Sequence, residues 1–191
     1  MSLIQKAILK ALEVHNGEVR KGDGKTPYVL HPLEVGIIAT VYTSNEIIIS
    51  SAILHDVLET GKVKDEDIIS EFGEDVFNMV KAMSEDKSIE DWAERKTENL
   101  SRLANNKTAY ITKAIDTLVN MRDLFAIIQE QGENAWAKFN APKGLKMNYF
   151  ERILSDLKND LPNDLLEKYV SALKDLQYAH LMPNIKQNFG F

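Results

Sequence analysis

Apolar residues recur along most of this chain at the i, i+3, i+4 spacing of amphipathic helices, not in the alternation of strands. Leu3, Ile4, Ala7, Ile8, Ala11, Leu12 and His15 mark one buried face of a first helix. The stretch NGEVRKGDGKTPY follows, and its polar residues and glycines predict a loop. Pro32 suits the first turn of a second helix, LEVGIIATVY, where its missing N–H leaves no bond unmade. Ser44 or Asn45 is suited to cap a third helix, EIIISSAILHDVLE, that ends at Gly61. That segment is apolar on most sides, so it is expected at the centre of the fold. Its triplet Ile47-Ile48-Ile49 is strand-like alone but sits inside the longer helical period.

Further along, Asp65 is placed to cap a short helix, EDIISEF, that stops at Gly73, and DVFNMVKAMS predicts another. SIEDWAERKTENLSRLANN predicts a charged, mostly exposed helix. A long periodic helix runs through Tyr110, Ile111, Ala114, Ile115, Leu118, Met121, Leu124, Phe125 and Ile128. A polar loop with Pro142 and Gly144 precedes a helix through YFERILSDL. Pro162 opens the last helix, whose apolar face is Leu165, Leu166, Tyr169, Val170, Leu173 and Leu176. The tail LMPNIKQNFGF has no clear pattern. No repeat, low-complexity segment or convincing strand pair is found. The expectation is an all-α bundle of about seven to nine helices, with residues 1–191 as a single domain.

Composition narrows the function. The chain has 191 residues, 44% hydrophobic and 27% charged, enough to bury a core without staples. There are 23 Lys and Arg against 29 Asp and Glu, a formal charge of −6. That balance argues against a partner that is a nucleic-acid polymer or a membrane surface, while leaving room for a local basic pocket. Cysteine is absent, which excludes disulfides, thiolate zinc sites and cysteine nucleophiles. No apolar run approaches the roughly 18 residues of a membrane span, and the N-terminal helix lacks a signal peptide's core. A soluble, cytoplasmic protein, monomeric or a small homo-oligomer, is the expectation.

Of the four histidines, His15, His31, His55 and His180, one is followed by aspartate, in ILHDVLET. His55 and Asp56 fall late in the most apolar predicted helix. A buried imidazole and a buried carboxylate both need partners, and one metal ion serves both. Imidazole with carboxylate suits first-row divalent metals better than calcium. Asp116, which interrupts an apolar helix, and His31, at a loop-to-helix junction, are candidates to complete the ligand set. Read alone, Asp116 serves equally as a cap or ion-pair partner, and His31 as a helix-start cap. Glu59 follows His55 by four residues on the expected helical face, where a carboxylate can orient or deprotonate water. Asn120 and Lys113 flank Asp116 at helical spacing; for Lys113 a surface position is the simpler reading. Arg20, Lys21 and Lys25 gather positive charge around Gly22 and Gly24, in a loop suited either to a phosphate or to solvent.

Taken in order, these segments resemble the HD-domain hydrolase of RelA/SpoT-type alarmone enzymes. The resemblance is carried by AL-EVHNGEVRKGDGKTPYVLHPLEV, SSAILHDVLET, EDIISEFGEDVFNMV, WAERK and KAIDTLVNMRDL, over about residues 7–125. It implies a small, stand-alone hydrolase of guanosine 3′,5′-bis(diphosphate) or its pentaphosphate relative. Water attacks the 3′-diphosphate, which releases pyrophosphate and leaves GDP or GTP. It implies manganese, or another first-row divalent ion, held by His31, His55, Asp56 and Asp116. Arg20 and Lys21 match positions that contact base and phosphates, and Asn120 a substrate-contacting asparagine. Tyr149 matches, more loosely, a late substrate-binding tyrosine. Glu59 matches the first member of a Glu-Asp pair that handles the water. Here Thr60 stands where the family usually has the aspartate, and Asp123 where it often has threonine. A hydroxyl cannot accept a proton as a carboxylate does near neutral pH. Two other readings stand beside this one: an HD-type hydrolase of another phosphorylated nucleotide cofactor, and a catalytically weakened nucleotide-binding module.

Overall fold

In the computed structural model the described residues, 1–181, form nine α-helices with short 3₁₀ turns, and no strand beyond one isolated antiparallel bridge, Val19 to Pro27. The all-α expectation holds. From residue 182 the patternless tail lies outside the described residues. The chain divides into two compact units.

The first unit comprises Met1–Val19 and Thr26–Asp116. It contains α1 (Leu3–Val14), α2 (Leu30–Tyr42), α3 (Glu46–Ile53), α4 (Asp65–Phe72), α5 (Glu74–Met83) and α6 (Trp92–Leu103), and the start of α7 (Lys107–Gln131). A capping box starts α1: Ser2 accepts from Gln5 N–H, and the Gln5 side chain accepts from Ser2 N–H. α3 packs against α1, α2 and α5, with α4 and α6 on α5. Ala7, Ala11 and Val14 of α1 meet Ile49, Ile53, Ile68, Val76 and Val80 in the core. As predicted, α3 is central. It comes so close to α2 that a Cβ on Gly36 would lie 2.3 Å from Ile53 Cγ1. Only glycine fits there.

Three boundaries differ from the periodic reading. The third helix, predicted to run on to Glu59, ends at Ile53, and a 3₁₀ turn, Val57–Thr60, follows before Gly61. His55 and Asp56 therefore sit in a turn, not in a helix. The His55 imidazole bonds the Ala52 carbonyl at 2.8 Å, and Val57 N–H bonds Leu54 O at 3.1 Å, an i+3 bond that tightens the chain. Asp65 lies inside the first turn of α4 instead of capping it. Lys64 holds the cap position, and its N–H is bonded by the Asp67 carboxylate at 3.0 Å. The helix through YFERILSDL already begins at Lys143, directly after Pro142, and takes in Gly144.

The second unit comprises Arg20–Lys25 and the chain from Thr117 onward. It contains the rest of α7, a 3₁₀ turn Gly132–Lys138, α8 (Lys143–Leu157) and α9 (Asn163–Tyr178). α8 and α9 pack together, and the buried Tyr169 hydroxyl donates to Phe150 O at 2.9 Å. No helix among the described residues is long and apolar enough to cross a membrane.

Candidate metal centre and its surroundings

The first unit brings His31, His55 and Asp116 together, all buried, with one ligand atom from each inside a 4.8 Å cluster. Each arrives from a different element: His31 from the first turn of α2, His55 from the turn after α3, Asp116 from the middle of α7. His31 Nε2 lies 3.0 Å from Asp116 Oδ1, and His55 Nε2 lies 3.6 Å from the same oxygen. Asp56 stands beside this group, with Oδ2 3.7 Å from His55 Nε2.

The cluster passes a simple test of fit for a divalent metal. The bond from His55 Nδ1 to Ala52 O fixes that nitrogen as donor and turns Nε2 toward the carboxylates. Metal-binding histidines are held in this way. Two imidazoles with two carboxylates suit first-row ions. The carboxylates are also kept charged. Burial alone would raise Asp116, but the Lys113 ammonium, then His55 and His31, hold it well below the usual carboxylate range. For Asp56, burial is likewise outweighed, by His55 charge, a His15 hydrogen bond, His31 and Tyr28.

Asp56 also has partners, Tyr28 and His15, to which sequence reasoning assigned no site role. Tyr28 donates its hydroxyl to Asp56 Oδ2 at 2.5 Å. His15 Nε2 lies 3.2 Å from Asp56 Oδ1, and its Nδ1 lies 2.8 Å from Glu18, which Lys62 holds in turn at 2.6 Å. Burial disfavours the His15 cation, but Asp56 and then Glu18 raise its pKa above the ordinary value. Lys113, for which a surface position was preferred, is buried and pairs with Asp116 Oδ2 at 2.8 Å. The clues existed: His15 falls on the apolar face of α1, and Lys113 precedes Asp116 by three residues. The first clue did not name its partner, Asp56.

Glu59 and Thr60 lie in the 3₁₀ turn. Glu59 Oε1 accepts from Glu85 N–H at 2.8 Å, and Oε2 lies 2.6 Å from Lys87 Nζ. Thr60 donates to Val57 O at 2.7 Å and accepts from Lys62 N–H at 3.1 Å. Its hydroxyl thus serves the turn. Glu85 is itself gripped by Arg95 and Lys96. Burial would raise its pKa, but Lys96, Lys113 and Lys87 push it down to about 2.

In the second unit, Arg20 reaches across the loop to α7. Its Nη2 donates to Asn120 Oδ1 at 3.0 Å and to Asp123 Oδ2 at 2.5 Å. Lys21 donates to Asn140 at 3.3 Å. Gly22 of the basic loop lies against α7: a Cβ there would fall 1.9 Å from Ile127 Cδ1, and that side chain would have to turn away. Lys25 N–H bonds Asp23. Tyr149 is buried on α8, its ring 5.9 Å from that of Phe150.

Residues 7–143 match the HD domain family. The chain is 32% identical over 125 residues to guanosine-3′,5′-bis(diphosphate) 3′-pyrophosphohydrolase MESH1 of Xenopus tropicalis, covering 64% of this chain and 70% of that one. It is 32% identical over 126 residues to MESH1 of Drosophila melanogaster, covering 65% and 68%. GTP pyrophosphokinase of Myxococcus xanthus is 28% identical over 140 residues, but only 18% of that longer protein is covered. Among solved structures, a metazoan ortholog of SpoT that hydrolyzes ppGpp superposes with a TM-score of 0.75 at 26% identity, over 91% of this chain and 95% of that one. A protein of Listeria monocytogenes EGD-e shares the fold, with a TM-score of 0.64 at 22% identity, over 80% of this chain and 99% of that one.

Proposed function

Because the chain belongs to the HD domain family, we propose that it is a guanosine-3′,5′-bis(diphosphate) 3′-pyrophosphohydrolase. Water cleaves the bond between the 3′-oxygen and its diphosphate; the products are pyrophosphate and GDP, or GTP from the pentaphosphate form. The observation that carries this reading is the buried convergence of His31, His55 and Asp116, with Asp56 alongside. The relatives that match over two thirds of their length are hydrolases of this nucleotide by name.

In this reading His31, His55, Asp56 and Asp116 hold a divalent ion, manganese by preference. Such an ion supplies Lewis acidity and lowers the pKa of water bound to it. Glu59 orients the attacking water and takes its proton. Arg20 and Lys21 bind the anionic nucleotide, with Asn120 and Tyr149 completing its contacts. Thr60 takes the place of a second carboxylate without its basicity. Residues 1–191 act as one catalytic domain, in the cytoplasm, and lower the alarmone of the stringent response.

One observation favours a slower or non-catalytic variant of this reading. The Thr60 hydroxyl is committed to backbone partners, and Glu59 is left as the one side-chain base of the pair. The test is product analysis with manganese across a small panel: guanosine 3′,5′-bis(diphosphate), its pentaphosphate form, and 2′- or 3′-phosphorylated cofactors. Pyrophosphate from the first two supports the proposal. Orthophosphate from the third group moves the substrate elsewhere, and tight binding without product leaves a binding module.

A further inference from the structure

The WAERK segment carries part of the family resemblance yet has no task in the function described so far. Its helix, α6, is the most polar of the first unit, but one stripe of it, Arg95, Asn99 and Arg102, turns inward to the end of α5. A helix end leaves carbonyls without intrahelical donors. α6 supplies those donors. Asn99, fully buried, donates to Ala82 O at 3.0 Å and to Ser84 O at 3.2 Å. Arg102 donates to Lys81 O and Ser84 O, each at 2.8 Å. Arg95 Nε donates to Glu85 Oε2 at 2.9 Å and its Nη1 to Ile89 O at 2.6 Å, while Lys96 holds the other Glu85 oxygen.

The segment gripped in this way is the one that touches the candidate site. Ser84 Oγ lies 3.3 Å from the carbonyl of His55. Glu85 N–H and Lys87 Nζ hold the two oxygens of Glu59 separately, at 2.8 and 2.6 Å. We propose that Glu85, Arg95 and Lys96 are positioning residues for Glu59: α6 fixes the 84–88 segment, and that segment aims the Glu59 carboxylate. The inference rests on the reading of Glu59 as the group that handles the water. A carboxylate on three rotatable bonds has many orientations in water, and two fixed donors select one of them. The α6 residues therefore act on the reaction without touching substrate. A rival use of the same cations, as a seat for a substrate phosphate, makes a different prediction.

The test uses the full chain with saturating manganese and guanosine 3′,5′-bis(diphosphate). Arg95→Ala should lower kcat by about 10- to 100-fold, the range seen for supporting residues, with KM and the metal-dependent melting shift retained. Glu85→Gln keeps the backbone donor and the side-chain volume, and should reproduce the kcat loss if Arg95→Ala folds poorly. On a Glu59→Gln background either change should cost less than about twofold more, because residues that act through one group are not additive. A Glu59→Gln protein with full activity sinks the reading of Glu59 itself. A silent Glu59→Gln beside fully active Arg95→Ala and Glu85→Gln sinks only the positioning role. A raised KM with unchanged kcat assigns the cations to substrate and also overturns it. Exchange of the Glu85 amide hydrogen, followed by NMR, needs no turnover. It should speed up in Arg95→Ala, and an unchanged rate refutes the inference whatever the substrate.

Discussion

The candidate metal cradle of the first unit and the basic loop of the second use the same kinds of charge in opposite ways. In the cradle His31, His55, Asp56, Lys113 and Asp116 are all buried, and each carboxylate is matched by an ammonium, imidazole or hydroxyl at 2.5–3.7 Å. Buried charges of this kind are costly to separate, so their geometry is set before any ligand arrives. In the loop the Arg20 side chain is 17% exposed, and its partner Asp123 is 41% exposed. An ion pair with one half in water is worth little and is easily exchanged. The difference teaches which part is a template and which is adaptable. If the proposed function holds, the cradle is the part prepared for an ion, and Arg20 is the part that would trade Asp123 for an anionic ligand.

The largest expected effect is on Glu59, the proposed base beside the cradle. Glu59→Gln keeps the shape and loses the proton acceptor, so kcat should fall about 10²–10⁴-fold in a pyrophosphate-release assay with saturating manganese. Full activity in this variant would remove Glu59 from the chemistry. The cradle itself is tested by Asp116→Asn, measured as melting temperature against manganese. At ~100 times the dissociation constant the parent should gain about 2.7 kcal/mol, and the variant should lose most of that gain. A metal-dependent shift equal to the parent's would show that the ion sits elsewhere.

The adaptable region should respond in KM and leave the metal response alone. Arg20→Ala removes a charged donor, and KM should rise about tenfold, the worth of one charge-assisted hydrogen bond. Loss of the metal-dependent melting shift in this variant would make the loop structural and erase the contrast between the regions. Thr60→Asp supplies a second carboxylate, which can accept from Lys62 N–H but gives up the hydroxyl's bond to Val57 O, and kcat should rise several-fold. A rate no higher than the parent's would mean that one carboxylate suffices here. The smallest effect belongs to Asp123→Asn. Freeing Arg20 from a half-exposed ion pair should lower KM by about fivefold at most, since such pairs are worth up to ~1 kcal/mol. An increase in KM would mean instead that Asp123 aims Arg20 at the ligand.

Much of this protein is decided by the sequence alone. The helix-forming rhythm is local, repeating every three to four residues, so the all-α fold, the central place of α3 and the stop at Gly73 follow from neighbours in the chain. The candidate site residues were also legible as types at characteristic spacing: histidines, aspartates and a basic glycine-containing loop. What the rhythm could not show is where an apolar helix breaks. EIIISSAILHDVLE is periodic to its end, yet α3 stops at Ile53. Pairing across the fold is equally invisible along the chain. Tyr28 meets Asp56 across 28 residues and Arg20 meets Asp123 across 103, and Lys113 is buried where it pairs with Asp116. A side chain's own sequence sets what bonds it can make. Which bond it makes, and whether water competes for it, depends on groups that only tertiary packing brings within reach.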